Sequence, residues 1–165
     1  MSAPILREAR QDEFAAIGDL LTAAYREYAA RMEPGGWDRM ARNLATAPTN
    51  IPGAINVVVE IDGALSAFVA YIPPGFSDGV RFPKDWASIR LLGVAPTARG
   101  RGLARALAEE CLRRARADGA ATIGLHTSEA MVTARAMYER MGFVVVRELE
   151  PIYGLRYWAF RRELA

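Results

Sequence analysis

"TARGRGLARALAEEC", residues 97–111, sets Gly100 and Gly102 among Arg99, Arg101 and Arg105 and then passes directly into a helical pattern. Leu103, Leu107, Cys111 and Ala115 recur at every fourth position with Ala104, Ala108 and Leu112 beside them, while Arg105, Glu109, Arg113 and Arg116 fall opposite. The start of a helix carries amide N–H groups with no partner inside the helix, and the macrodipole leaves partial positive charge there. Two glycines remove side chains that would hold an anion off the backbone, and three arginines add charge at the rim, so the stretch suits a phosphate or pyrophosphate. It equally suits a glycine-softened loop that caps an ordinary helix. Cys111, on the apolar face, reads as core rather than as a nucleophile.

Two phosphate chemistries are tested by the neighbouring residues. A Walker-type loop needs Lys and then Ser or Thr after its second glycine, whereas Leu103 and Ala104 follow here. A dinucleotide fold places G-x-G-x-x-G early in a βαβ unit, whereas this element comes after four strand patterns.

Working outward, 165 residues of which 52% are hydrophobic and 24% charged bound one globular domain, residues 1–165, with a substantial core. Twenty-one basic against 19 acidic residues give a net charge of +2, too even a mixture to support a nucleic-acid surface. A single cysteine excludes an internal disulfide or a cysteine metal site, and no metal is expected. "MSAPILREARQDEF" lacks a secretory apolar run, and no window approaches the ~20 apolar residues of a membrane span. The expectation is a soluble, cytoplasmic protein without a membrane partner.

Along the chain, "PILREA" predicts a strand, and Phe14, Ile17, Leu21, Ala24 and Tyr28 predict a helix that "EPGG" ends. "WDRMARNLA" predicts a second helix, which the prolines of "APTNIPGA" should keep from continuing. "INVVVEIDGALSAFVAYIPP" predicts a hairpin turning at Asp62 and Gly63. After the irregular "PPGFSDGVRFPKD" come a buried strand, "WASIRLLGV", the opening helix, and a further strand, "ATIGLHTS". A helix from about Glu129 stops at Gly142, and "FVVVREL" and "LRYWAFRREL" close as strands. The order β-α-α-β-β-β-α-β-α-β-β argues for an α/β domain with a mixed sheet covered by helices.

"LLGVAPTARGRGLARAL" resembles the coenzyme A signature of the GCN5-related N-acetyltransferase (GNAT) superfamily. In that signature Arg or Gln is followed after two residues by Gly and, after one more, by Gly or Ala; Arg99, Gly102 and Ala104 stand at those places. "ARAMYERMGF", residues 134–143, resembles the family's second stretch, a tyrosine-bearing helix ending at Gly-Phe. The resemblance implies a mixed, mostly antiparallel central sheet of about seven strands flanked by about four helices. It also implies direct transfer of an acetyl group from acetyl-coenzyme A to a primary amine, borne by a small molecule, a protein N-terminus or a lysine. A homodimer is compatible with it, and a GNAT-like module that binds an acyl-coenzyme A without turnover is the alternative.

By the same resemblance, Arg99, Gly100, Arg101, Gly102, Leu103 and Ala104 hold the pyrophosphate, and the backbone of Leu92, Gly93 and Val94 pairs with the pantetheine arm. Tyr138 donates a proton to the departing thiolate, and an amide near Leu92 polarises the thioester. Met131 stands where many relatives carry an asparagine on the pantetheine, so one polar contact is lost. His126, the only histidine, occupies the place of a general-base glutamate in similar N-terminal acetyltransferases, and an unperturbed pKa of about 6.5 would suit that task. A structural role suits it as well, and Glu60 and Glu129 are the reserves. Acceptor specificity falls to residues 28–37 and the loop "EPIYG": Tyr28, Trp37 and Tyr153, with Tyr25, could wall the acceptor, and Glu33 and Asp38 could meet its charge. The same aromatics also suit simple loop packing.

Overall fold

A computed structural model describes residues 2–164. The hairpin forms as expected: β2 (Ile55–Ile61) and β3 (Ala64–Ile72) join through Asp62 and Gly63, both left-handed at φ 50° and 81°, as a type I′ turn requires. β1 (Ile5–Glu8) pairs with β2 on one side, and β4 (Ala87–Val94) with β3 on the other. Beyond β4 lie β5 (Thr122–Ser128), β7 (Leu155–Glu163) and, at the far edge, β6 (Val144–Ile152). The sheet runs β1-β2-β3-β4-β5-β7-β6 and is antiparallel everywhere except between β4 and β5. This is the seven-stranded, mostly antiparallel α/β arrangement expected.

Helices cover both faces, which is why β2 and β3 are apolar on successive residues instead of alternating. Val57, Val59, Ala67 and Val69 face α4 (Leu103–Ala117) and the Met137–Tyr138 side of α5 (Val132–Arg140). Val58, Phe68 and Ala70 face α1 (Phe14–Tyr25) and α2 (Gly36–Ala45). In α4, Leu103, Leu107, Ala108, Cys111, Leu112 and Ala115 are buried, so the four-residue periodicity is the core stripe. Burial also pushes the Cys111 thiol up to about 12, which removes it as a nucleophile. Among the described residues, no helix is long and apolar enough to cross a membrane.

Four local expectations are corrected. The first helix stops at Tyr25 and tightens into 3₁₀ turns over Arg26–Arg31; residues three apart eclipse in that geometry, and Tyr28 meets the edge of Tyr25 with centroids 5.9 Å apart. The chain does re-enter a helix after α2, as the single turn α3 (Ala47–Asn50). Pro48 fits there because the first turn needs no N–H from it. The helix expected from Glu129 begins only at Val132. Residues 128–131 instead close a turn, with Met131 N–H donating to Ser128 O at 3.1 Å, while the Glu129 carboxylate accepts from the Arg156 amide at 2.7 Å. Finally, "EPIYG" is not a loop: β6 runs through Ile152, and Tyr153 and Gly154 alone make the turn, at φ 56° and 79°.

Helices α1 and α2 cross closely at Gly18, where an added Cβ would lie 2.3 Å from the Ala45 carbonyl oxygen. Alanine is the better helix former by about 1 kcal/mol, but the obstruction is backbone and cannot swing away. Gly18→Ala is therefore expected to lower unfolding free energy by about 1–3 kcal/mol, measured by urea titration followed by circular dichroism.

Candidate active site

Strands β4 and β5 pair only at Ala87–Ile123 and Ser88–Gly124. Past Ser88 they diverge, and β4 keeps a backbone edge with no strand against it. A bulge lies in this segment: Ala70 opposes Arg90 and Phe68 opposes Gly93, so Leu91 and Leu92 together face Val69. Leu91 takes up the distortion at φ 57°, and the Tyr25 hydroxyl donates to the Leu92 carbonyl at 2.9 Å. Gly93 lets α1 close on the strand, since a Cβ there would sit 3.0 Å from Leu21 Cδ2.

The divergence opens a cleft of about 570 Å³. Leu92, Gly93 and Val94 line one wall; Leu125, His126 and Thr127 line the other; Met131, Met137 and Tyr138 come from the α5 side. At its mouth stands the loop before α4. Gly100 and Gly102 are left-handed at φ 81° and 76°, and a Cβ on either would project into open space. The first bond of α4 runs from Ala106 N–H to Gly102 O at 3.0 Å. The amides of Leu103, Ala104 and Arg105 donate to no carbonyl among the described residues, so they remain for an anion.

The arginines differ from a simple cationic rim. Arg99 donates to the Glu27 carboxylate and, at 2.9 Å, to the Ala24 carbonyl, so it ties the loop to the end of α1. Arg105 pairs with Glu109 at 2.8 Å. Arg101 is absent from the cleft lining and lies near Asp62. The glycine-exposed amides are therefore the loop's donors left without a carbonyl partner among the described residues. The cleft also keeps Thr127 Oγ1 buried without a partner, a polar group that fits the amide-rich arm of a coenzyme A better than a plain apolar ligand.

Tyr138 is buried at 5% exposure, and its ring meets Phe143 edge-on at 5.6 Å. Burial raises its pKa above that of a free phenol, so it keeps its proton across the neutral range. Met131 is buried and lines the cleft with carbon and sulfur where a polar contact was expected to be missing. Tyr28 lines the cleft, whereas Trp37 and Tyr153 do not. Trp37 lies under Arg26, and Tyr153 accepts from Asn43 Nδ2 at 2.7 Å.

His126 departs furthest from expectation. Its Nδ1 is buried without a partner, and burial first, then Arg81 and Arg90, lower its pKa to about 3, against a weaker pull from Asp78. The unperturbed value assumed for a general base does not apply. Both reserve carboxylates are engaged elsewhere: Glu60 accepts from Arg7 at 2.8 Å, and Glu129 from the Arg156 amide. Glu33 is likewise paired, with Arg39 at 2.8 Å. Sequence reading missed Tyr25 as the clamp on Leu92 and Thr127 as an orphan polar group; neither carries a local signal.

A family model described as "Acetyltransferase (GNAT) family" matches residues 14–143, which include the cleft, the glycine loop and Tyr138. The chain belongs to this acetyltransferase family. A mycothiol acetyltransferase from Beutenbergia cavernae is 39% identical over 94 residues, 57% of this chain and 29% of that one; the GNAT chain thus spans under a third of that relative. A GCN5-related N-acetyltransferase from Rhodopseudomonas palustris superposes with a TM-score of 0.77 at 20% identity, covering 99% of this chain and 98% of its own. A Salmonella typhimurium structure described with its cofactor acetyl-CoA gives 0.69 at 17%, covering 99% and 95%. At these identities the two structures share the fold.

The depressed histidine sets a pH signature. Unfolded His126 binds a proton below about 6.5, but folded His126 does so only near 3. The unfolded state therefore holds more protons between these values, and stability falls as pH is lowered through that window. Glu13, held to about 2 by Arg7, adds its own loss only below its ordinary value of 4.5. His126→Asn is expected to flatten the decline of melting temperature between about pH 6.5 and 4.5 relative to the parent protein.

Proposed function

We propose that the chain, as a single domain, transfers an acetyl group from acetyl-coenzyme A to a primary amine by direct attack. The observation that carries this reading is the divergence of β4 from β5, which leaves a strand edge open between unpaired helix amides at one end and a protonated phenol inside. Acetyl-coenzyme A supplies an activated thioester; the residues of the chain do the rest.

In this reading the amides of Leu103 and Ala104, exposed by Gly100 and Gly102, hold the pyrophosphate, and Arg99 fixes the loop that presents them. The open edge of Leu92, Gly93 and Val94 pairs with the pantetheine amides as an added strand would. An amide near Leu92, turned by the bulge, polarises the thioester oxygen. As the amine nitrogen bonds to the carbonyl carbon and the C–S bond breaks, Tyr138 gives its proton to sulfur and is reprotonated from solvent. His126 is too weak a base to hold the proton of an ammonium. Its neutral ring accepts a hydrogen bond from the incoming free amine, and the proton leaves through water. Tyr28 walls the acceptor; Trp37 and Tyr153 brace the segments around it.

Thiol release measured with acetyl-coenzyme A and a panel of amines tests the reading; cofactor uptake without release for any amine would mark a binding module instead. Tyr138→Phe is expected to lower kcat by about 10²-fold or more while calorimetric affinity for acetyl-coenzyme A stays unchanged. Gly102→Val places a branched side chain on a left-handed residue in the anion's path. It is expected to weaken that affinity by at least about 10-fold, the worth of one hydrogen bond to a charged group. Unaltered affinity would contradict the loop assignment.

A further inference from the structure

Resting on the transferase reading, one feature beside His126, on the far side of the cleft wall, narrows the acceptor. Strand alternation sends Ile89 and Leu125 into the α4 side of the core, so Arg90 and His126 emerge on the opposite face. Arg81, from the loop before β4, and Arg90 both lie close enough to His126 to lower its proton affinity. Arg90 is partly buried, its Nε is sealed from solvent, and that nitrogen has no hydrogen-bond partner.

Two other half-buried arginines meet carboxylates: Arg7 reaches Glu13 and Glu60 at 2.8 Å each, and Arg114 reaches Glu110 at 2.7 Å. Asp78 lies close enough to favour the charge on Arg90 but makes no hydrogen bond or ion pair with it. Asp78 Oδ1 accepts from the amides of Val80 at 2.8 Å and Arg81 at 3.0 Å. The Tyr25 hydroxyl is committed to Leu92, and Asn43 donates to that of Tyr153. A half-buried guanidinium that feels Asp78 only at a distance and leaves its Nε without a hydrogen bond is costly to keep, and a planar fork of donors is the geometry that matches a carboxylate.

We propose that Arg90, supported by Arg81, binds a carboxylate on the acceptor, so that the substrate is a small α-amino-acid-like amine rather than a peptide N-terminus or a lysine side chain. An α-amino acid carries its carboxylate and its amine on one carbon. Its carboxylate would sit against Arg90 while its amine lies beside His126, which lines the acetyl cleft. A peptide N-terminus has that carboxyl consumed as an amide and offers Arg90 nothing. The bound carboxylate would also offset the part of the His126 depression that Arg81 and Arg90 add to burial, making the imidazole a somewhat better proton acceptor once the correct substrate is in place.

The test compares the twenty proteinogenic amino acids, each with its C-terminal amide, in the thiol-release assay. At least one acid is expected to exceed its amide in kcat/KM by about 10- to 100-fold. Arg90→Gln should erase that preference through KM, with acetyl-coenzyme A affinity by calorimetry unchanged, and Arg90→Lys should restore part of it. An unchanged melting temperature checks that each variant folds, and Arg81→Gln gives a milder version of the same loss. Equal turnover of acids and amides, turnover only of amines without a carboxylate, or a preference that survives in Arg90→Gln would overturn the inference while leaving acetyl transfer standing. No uptake of acetyl-coenzyme A by the parent protein would remove both.

Discussion

The structure depends on two parallel strands that part company. Parallel pairing between β4 and β5 lasts for two residue pairs, and beyond it neither strand satisfies the other. A backbone edge left open inside a protein carries donors and acceptors that need partners, and a sheet tolerates it only where water or a ligand can supply them. The bulge at Leu91 and Leu92 and the Tyr25 hydroxyl on the Leu92 carbonyl hold that edge in a defined shape. The glycine loop, Tyr138 and His126 then gain meaning from their positions around one cleft.

Charge is distributed with economy around this opening. At the mouth, Arg99 and Arg105 are tied to Glu27 and Glu109, which leaves neutral amides oriented by the helix start as the donors to which the proposed function assigns the pyrophosphate. Such groups need no counter-ion when nothing is bound. Beside His126 the balance differs: Arg90 is desolvated with its Nε unpartnered, and burial first, then the fields of Arg81 and Arg90, keep His126 neutral. In the proposed function the loop amides hold a large anion with many weak donors, and Arg90 holds a small one with a single strong fork.

Much of the fold was legible in short stretches of the chain. Asp62-Gly63 specified its turn because few residue pairs accept two left-handed positions, and Gly142, at φ 91°, ended α5 for a related reason. The four-residue stripe of α4 was buried as its spacing required. Gly100, Gly102 and Tyr138 could also be picked out, since their motifs lie on single elements. Less legible were the positions whose role depends on a distant residue. Nothing near Arg99 announces Glu27, and nothing near His126 announces the burial and the neighbouring Arg81 and Arg90 that together turn an ordinary imidazole into one that resists protonation.

By itself, then, the sequence determined the order of elements, the turns, the core stripes and the glycine-marked helix start, all set by the steric preferences of neighbouring residues. Tertiary structure alone decided where β4 leaves β5, which cations pair with carboxylates, and whether a histidine can hold a proton. Those properties come from burial and from charges far apart in the chain, and neither exists until the sheet has closed around them.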